Sequence, residues 1–266
     1  MSMTWTKPTR FWSAPPAPRP IRLSQDSTEG RLIYAVGDIH GRRDLLQLVV
    51  RKIAVDAIAS GSVDQPVLVF LGDYVDRGPD SAGVITYIQT LSGLGGFDLR
   101  CLKGNHEQTL LKFLDDSSIG PTWAEHGGGA TLASYGVSIP AMRTDREGWE
   151  AARLAFQQAL PIEHLAFFRG LELSVAFGDY FFVHAGVRPG VSLARQNEQD
   201  LLWSRGEFLA EKKPFEKIIV HGHTPVEAPF LGATRIGVDT GAYATGALSA
   251  VRLEGAQRSV LSTAAD

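Results

Sequence analysis

Seven histidines occur in the 266 residues of the chain. Five of them, His40, His106, His184, His221 and His223, stand in short blocks framed by glycine or following an apolar run. The blocks are GDIHG (37–41), GDYVDRG (72–78), GNHE (104–107), VHAG (183–186) and HGHTP (221–225). Together they offer carboxylates, imidazoles and an amide oxygen. This nitrogen and oxygen donor set suits Mn²⁺, Fe or Zn²⁺ better than a soft, thiolate-seeking metal. Glycine beside such donors lets the backbone turn sharply and approach an ion or a phosphate closely. One Asp after a strand is ordinarily a helix cap, and one His among apolar residues is ordinarily a core residue; His126 and His164 are read as core residues. Neither explanation accounts for all five blocks at once, and the combination points to a metal-dependent site.

The elements that carry these blocks follow from the pattern around them. Arg31 to Val36 (RLIYAV) reads as a buried strand ending in the first block. Asp44 to about Ser60 has Leu45, Leu48, Val49, Ile53 and Ile58 at helical spacing. PVLVFL (66–71) is a second strand ending in the second block, and Asp80 or Ser81 caps a helix running to about Leu91. Leu99 to Leu102 is a third strand, ending in KGNHE. Strand, polar loop and helix thus recur in βαβ fashion, and sites in such sheets gather at the carboxyl ends of the strands. Asp38, His40, Asp73, Asn105 and His106 are therefore expected on one rim. Residues 108–170 read as a mainly helical, cap-like insertion interrupted by HGGGATLASYG (126–136). From Leu171 the chain turns β-rich: LELSVAF, FFVHAG, KIIVHGH, TRIGVDTG and ALSAVRLEG are expected as strands of a second sheet packed on the first. Residues 198–210 are expected as a short helix and loop.

Bulk properties narrow the function classes. With 44% hydrophobic and 21% charged residues the chain suits a globular α/β protein with a sizeable core. The net charge of −3 supplies no general basic field for nucleic acid or an anionic membrane, so neither is an expected partner. The single cysteine, Cys101, excludes an intrachain disulfide, fits a reducing cytoplasm and is read as a buried structural thiol. No run approaches the roughly 20 apolar residues of a membrane helix, nor does the opening segment have the apolar stretch of a signal peptide. Residues 1–29, rich in proline, are expected as a flexible extension, and 30–266 as one domain. GGGATLASYG lacks the lysine of a phosphate-binding P-loop, so no ATP site is expected there.

In this order the five blocks resemble the phosphoprotein phosphatase family of calcineurin-like metallophosphoesterases. The nearest resemblance is to bacterial and phage serine/threonine protein phosphatases, followed by diadenosine tetraphosphatases. The resemblance implies an α/β fold of two packed mixed β-sheets flanked by helices, a four-layer α/β/β/α sandwich. It implies two divalent metal ions, manganese before iron or zinc. Asp38 and His40 would bind the first, Asp73 would bridge both, and Asn105, His184 and His223 would complete the second. His221, two residues before His223, is read as sharing its strand face and as a supporting neighbour of the site.

The same resemblance makes His106 the acid that protonates the leaving group, held by Asp76. A carboxylate partner keeps an imidazole protonated near neutrality, as departure of an alkoxide requires. Arg77 and Arg205 (in LLWSR) would clamp the phosphate, a task for which the guanidinium fork is suited; for Arg205 the bland alternative is a surface ion pair. Tyr243, in DTGAYATG, is read either as a cleft residue or as part of a glycine turn. The implied mechanism is in-line attack on phosphorus by a hydroxide shared between two metals. The leading expectation is hydrolysis of phosphate monoesters on protein serine or threonine. The alternatives are hydrolysis of dinucleoside polyphosphates or other small phosphate esters, and an inactive metal-stabilised binding module.

Overall fold

The computed structural model describes residues 27–264; the expectation of a flexible proline-rich extension falls almost wholly outside them. Ten strands are found among the described residues: β1 Leu32–Val36, β2 Val67–Phe70, β3 Asp98–Cys101, β4 Ser174–Phe177, β5 Tyr180–Val183, β6 Ile218–His221, β7 Phe230–Leu231, β8 Arg235–Gly237, β9 Ser249–Glu254 and β10 Gln257–Ser262. They form two five-stranded sheets, ordered β10-β9-β1-β2-β3 and β4-β5-β6-β8-β7. The pairs β1–β2, β2–β3, β5–β6 and β6–β8 are parallel, and the pairs β1–β9, β9–β10, β4–β5 and β7–β8 are antiparallel. Both sheets are thus mixed.

Period-two alternation builds the layers. Ile33, Ala35, Val67, Val69, Val251 and Leu253 of the first sheet face Tyr180, Phe182, Ile218 and Val220 of the second in one buried cluster. The opposite face of the first sheet (Leu32, Tyr34, Val36, Leu68, Phe70) packs on helices α1 (Arg43–Ser60) and α2 (Ser81–Leu94). Phe181, Val183 and Ile219 on the outer face of the second sheet pack on Leu201 and Phe208. The central strands are buried on both sides, which is why they read as continuous apolar runs.

The helices begin and end where local chemistry dictates. Asp80 caps α2 by accepting the Gly83 N–H at 2.8 Å, and α1 stops at Gly61 in the left-handed conformation. Helix α3 (Asn105–Asp115) starts directly in the third block. The segment read from the sequence as a cap holds α4 (Gly120–Trp123), α5 (Gly129–Ser134), α6 (Arg146–Ala159) and α7 (Ile162–Gly170). After β5 come α8 (Glu198–Trp203), α9 (Gly206–Ala210) and, before β9, α10 (Ala242–Thr245).

Four local expectations are corrected. ALSAVRLEG does not join the second sheet: β9 pairs antiparallel with β1, Val36 opposite Ala250. An apolar strand fits either sheet, and only long-range pairing decides. On α1 the buried stripe is Leu45, Leu46, Val49, Val50 and Ile53, while Leu48 and Ile58 are 45% and 82% exposed. HGGGATLASYG interrupts the helical segment more narrowly than expected: the chain kinks at Gly127, where φ is 109°, resumes as α5 and turns at Tyr135–Gly136. The turn around Tyr243 is one turn of helix between left-handed Gly241 and Gly246. At the start of the described chain, buried Thr28 accepts the Gly255 N–H, and Ser27 hydrogen-bonds Asp179.

Candidate metal centre

The C-terminal ends of β1, β2, β3, β5 and β6 each continue into one of the five blocks. The turns that bring the blocks together are tight. His40, Asp73, Asp76, Arg77 and His223 all have positive φ, between 45° and 73°. Non-glycine residues adopt this conformation at a cost and are concentrated at functional sites. Close approach then requires the framing glycines: a Cβ at Gly104 would collide with Asp73, and one at Gly222 with Asp38.

Asp73 lies at the centre. Its Oδ2 is 3.6 Å from His40 Nε2 and 3.8 Å from His106 Nε2, and its Oδ1 is 3.5 Å from His184 Nε2. Among the described residues, His40–Asp73–His106 and Asp73–His184–His223 each bring donor atoms within 4.8 Å of one another. Asn105 Oδ1 lies 2.9 Å from His184 Nε2, and His223 Nδ1 lies 3.2 Å from the same nitrogen. Asp38 belongs to neither group, and its carboxylate accepts the His223 backbone N–H at 3.0 Å. All six side chains read from the sequence as metal ligands are therefore gathered in one buried cluster.

The donor set fits cations. His184 Nδ1 is 2.9 Å from the Leu71 carbonyl and His40 Nδ1 is 2.8 Å from the Val75 carbonyl. Each ring therefore donates from Nδ1 and turns the Nε2 lone pair toward Asp73. Burial holds His40 and His184 well below the usual imidazole range, and burial with the Arg205 charge brings His223 to about 3. Neutral imidazoles are the ligand form. Asp38 and Asp73 are pushed the other way, chiefly by burial, and for Asp38 also by Asp239 and Asp73 nearby. Buried carboxylates crowded in this way are stabilised by positive charge placed between them.

Beside the cluster, His106 Nδ1 lies 2.6 Å from Asp76 Oδ2. Burial opposes charge on this imidazole, but the Asp73 carboxylate and the Asp76 hydrogen bond outweigh it and raise His106 to about 9. Arg77 lies 3.4 Å from His106 Nε2, with its guanidinium over the Tyr243 ring at 4.5 Å. Arg205 Nε donates to His223 Nε2 at 2.9 Å, so this arginine faces the cluster and not a surface partner. Tyr243 also meets His40 edge-on at 5.4 Å and lines a neighbouring pocket with Arg42 and Arg77. The two arginines face a cleft of about 830 Å³ that runs from the cluster out between α3, the cap and Trp203.

The chain matches the calcineurin-like phosphoesterase model over residues 31–253. It belongs to that family. As a calcineurin-like phosphoesterase it is a phosphoric ester hydrolase, and its curated relatives carry two kinds of name. It is 28% identical to serine/threonine-protein phosphatase 1 of Salmonella typhimurium over 89% of this chain and 99% of that protein. It is 26% identical to an asymmetrical bis(5'-nucleosyl)-tetraphosphatase of Bacillus velezensis, over 77% of this chain and 82% of that protein. A crystal structure of a candidate diadenosine tetraphosphatase shares the fold with a TM-score of 0.59 at 21% identity, covering 90% of this chain and 98% of that one. No helix of the described residues is long and apolar enough to cross a membrane.

Two sequence readings change within this phosphoesterase. His221 does not support the cluster: the strand ends at His221, and the positive φ of His223 turns that side chain elsewhere. His221 is buried against Phe208 at 4.9 Å, and burial lowers it to about 4. His126 is not a core residue; it is exposed and lines the cleft. His164 is buried as expected, hydrogen-bonded to Tyr135 at 2.8 Å.

Other residues of the site went unread in the sequence. Glu107 is fully buried and accepts the N–H groups of Asp73, Tyr74, Val75 and Gly104, tying the second block to the third. Its place in GNHE was the available signal. Asp239, 3% exposed beside Asp38, and Trp123 and Thr131 in the cap carried no such signal.

Proposed function

We propose that this phosphoesterase is a metal-dependent serine/threonine protein phosphatase. The observation that carries the proposal is the His106–Asp76 pair at 2.6 Å, set beside the Asp73 cluster at the base of the cleft. A serine or threonine alkoxide is a poor leaving group and needs a proton as it departs. A phosphoanhydride leaving group needs that proton far less.

On this reading Asp38, His40 and Asp73 would hold one ion, and Asp73, Asn105, His184 and His223 would hold the other. Manganese is the proposed metal, with iron and zinc sharing the same preference for nitrogen and oxygen donors. Two such ions would supply Lewis acidity to the phosphoryl group. Arg77 and Arg205 bind the phosphoryl oxygens from two sides, where fixed guanidinium groups stabilise developing charge. Asp76 holds His106 Nδ1, so the Nε2 proton faces the departing oxygen. Trp203 and Lys112, farther out, meet the group that carries the phosphate. The body beginning near residue 30 acts as one catalytic domain with 108–170 as its cap, and the lone cysteine is consistent with a cytoplasmic setting.

One observation favours a second reading. The cleft's volume of about 830 Å³, with 40%-exposed Trp203 and Lys112 on its walls, also suits a dinucleoside polyphosphate. The deciding experiment is turnover by the Mn²⁺-loaded enzyme of a phosphoserine peptide, p-nitrophenyl phosphate and diadenosine tetraphosphate. The proposal expects peptide turnover to exceed that of the tetraphosphate. Rapid tetraphosphate cleavage with an inert peptide overturns it in favour of the second reading.

A further inference from the structure

Asp76 is fully buried, and its two carboxylate oxygens are occupied from different directions. Oδ2 accepts from His106 Nδ1 and, at 2.8 Å, from the indole N–H of Trp123. Oδ1 accepts the Thr131 hydroxyl at 2.6 Å. The same hydroxyl oxygen accepts the Asp76 backbone N–H at 2.8 Å, so Thr131 grips this residue at two points. Neither donor belongs to the five blocks. Trp123 ends α4 and Thr131 lies in α5, both in the cap.

The glycines between them make the approach possible. Arg77 N–H donates to the Gly127 carbonyl at 3.1 Å. A Cβ at Gly127 would stand 2.6 Å from Arg77 Cγ, and one at Gly128 would collide with the Trp123 ring. The kinked helix is thus pressed onto Asp76 and Arg77 together. Trp123 is itself wedged against Phe113 of α3 at 4.9 Å, the helix that begins with Asn105 and His106.

We infer that Trp123 and Thr131 are positioning residues for leaving-group protonation: the cap aims the acid through Asp76 and does more than enclose substrate. This rests on His106 acting as the acid. A carboxylate that has lost one of its fixed donors can rotate, and the imidazole it orients then loses its aim. The cost falls on substrates whose leaving group needs the proton.

The test is the ratio of turnover on phenyl phosphate, a poor leaving group, to that on p-nitrophenyl phosphate, a good one, with Mn²⁺-loaded enzyme. His106→Asn is expected to lower this ratio about 100-fold, and Thr131→Val and Trp123→Phe about tenfold each. Thr131→Ser, which keeps the hydroxyl, is expected to restore it. General loosening of the cap would lower both substrates by one factor and leave the ratio unchanged. An unchanged ratio in His106→Asn overturns the acid assignment and this inference with it. A lowered ratio in His106→Asn with unchanged ratios in folded Thr131→Val or Trp123→Phe overturns the inference alone.

Discussion

The two sides of the cleft are built on different principles. The side formed by the strand ends is made of short turns with positive φ, held by glycines and by the buried Glu107 carboxylate. Its donors lie close to one another because parallel strands end side by side. The cap side is made of short helices whose glycines allow them to press against the turns, and it delivers two hydrogen-bond donors to Asp76. The first side concentrates charge for cations; the second fixes the direction of one carboxylate. A phosphoesterase needs both, because metal binding and leaving-group departure make separate demands on geometry.

The comparison is broken most severely at the strand ends. Asp73→Asn is expected to lower turnover about a thousandfold or more, since a central charge contributing several kcal/mol is lost. Circular dichroism should show a retained fold and calorimetry a weakened Mn²⁺ affinity; near-normal turnover would refute the central role of Asp73. Glu107→Gln comes next. The amide nitrogen would face N–H donors that now meet a carboxylate oxygen, and a loss of about 3 kcal/mol in unfolding free energy is expected by urea denaturation. An unchanged midpoint would show that the turns hold themselves.

On the cap side the effects are smaller. Gly127→Ala combines a left-handed conformation with contact against Arg77, and about 1–3 kcal/mol of destabilisation is expected. The same variant should raise KM for p-nitrophenyl phosphate as Arg77 is displaced. A change in stability without any change in KM would separate the cap from the phosphate clamp. Cys101, read as a buried thiol but half-buried at the end of β3 and lining a separate pocket, sets the lower limit. Burial pushes its thiol up to about 12, so the unreactive neutral form prevails at pH 8. Iodoacetamide should label the native enzyme much more slowly than the urea-unfolded one, and Cys101→Ser should leave turnover unchanged.

These differences also mark what could be read in advance. Asp38, Asp73 and Asn105 each sit a few residues past an apolar strand, in a frame of glycine, and short-range pattern was enough to place them on one rim. The antiparallel return of β9 to β1 was not legible, because Val251 and Leu253 would serve either sheet equally well. His221 was misplaced because alternation holds only while a strand continues, and this one ends at that residue. HGGG was read as breaking the whole run because glycine disfavours helices, whereas the break is confined to Gly127. Packing against Arg77 and Trp123 supplies a reason for those glycines that composition does not contain.

The sequence alone determined the donor types, their order and their attachment to strand ends, since each depends on residues only a few positions apart. Tertiary structure decided which donors meet. It put Asp73 at the centre, left Asp38 on the His223 backbone and tied Asp76 to Thr131 across 55 positions. A contact at that separation exists only after the sheets have paired and the cap has folded back over them, because no local preference of either residue encodes the distance between them.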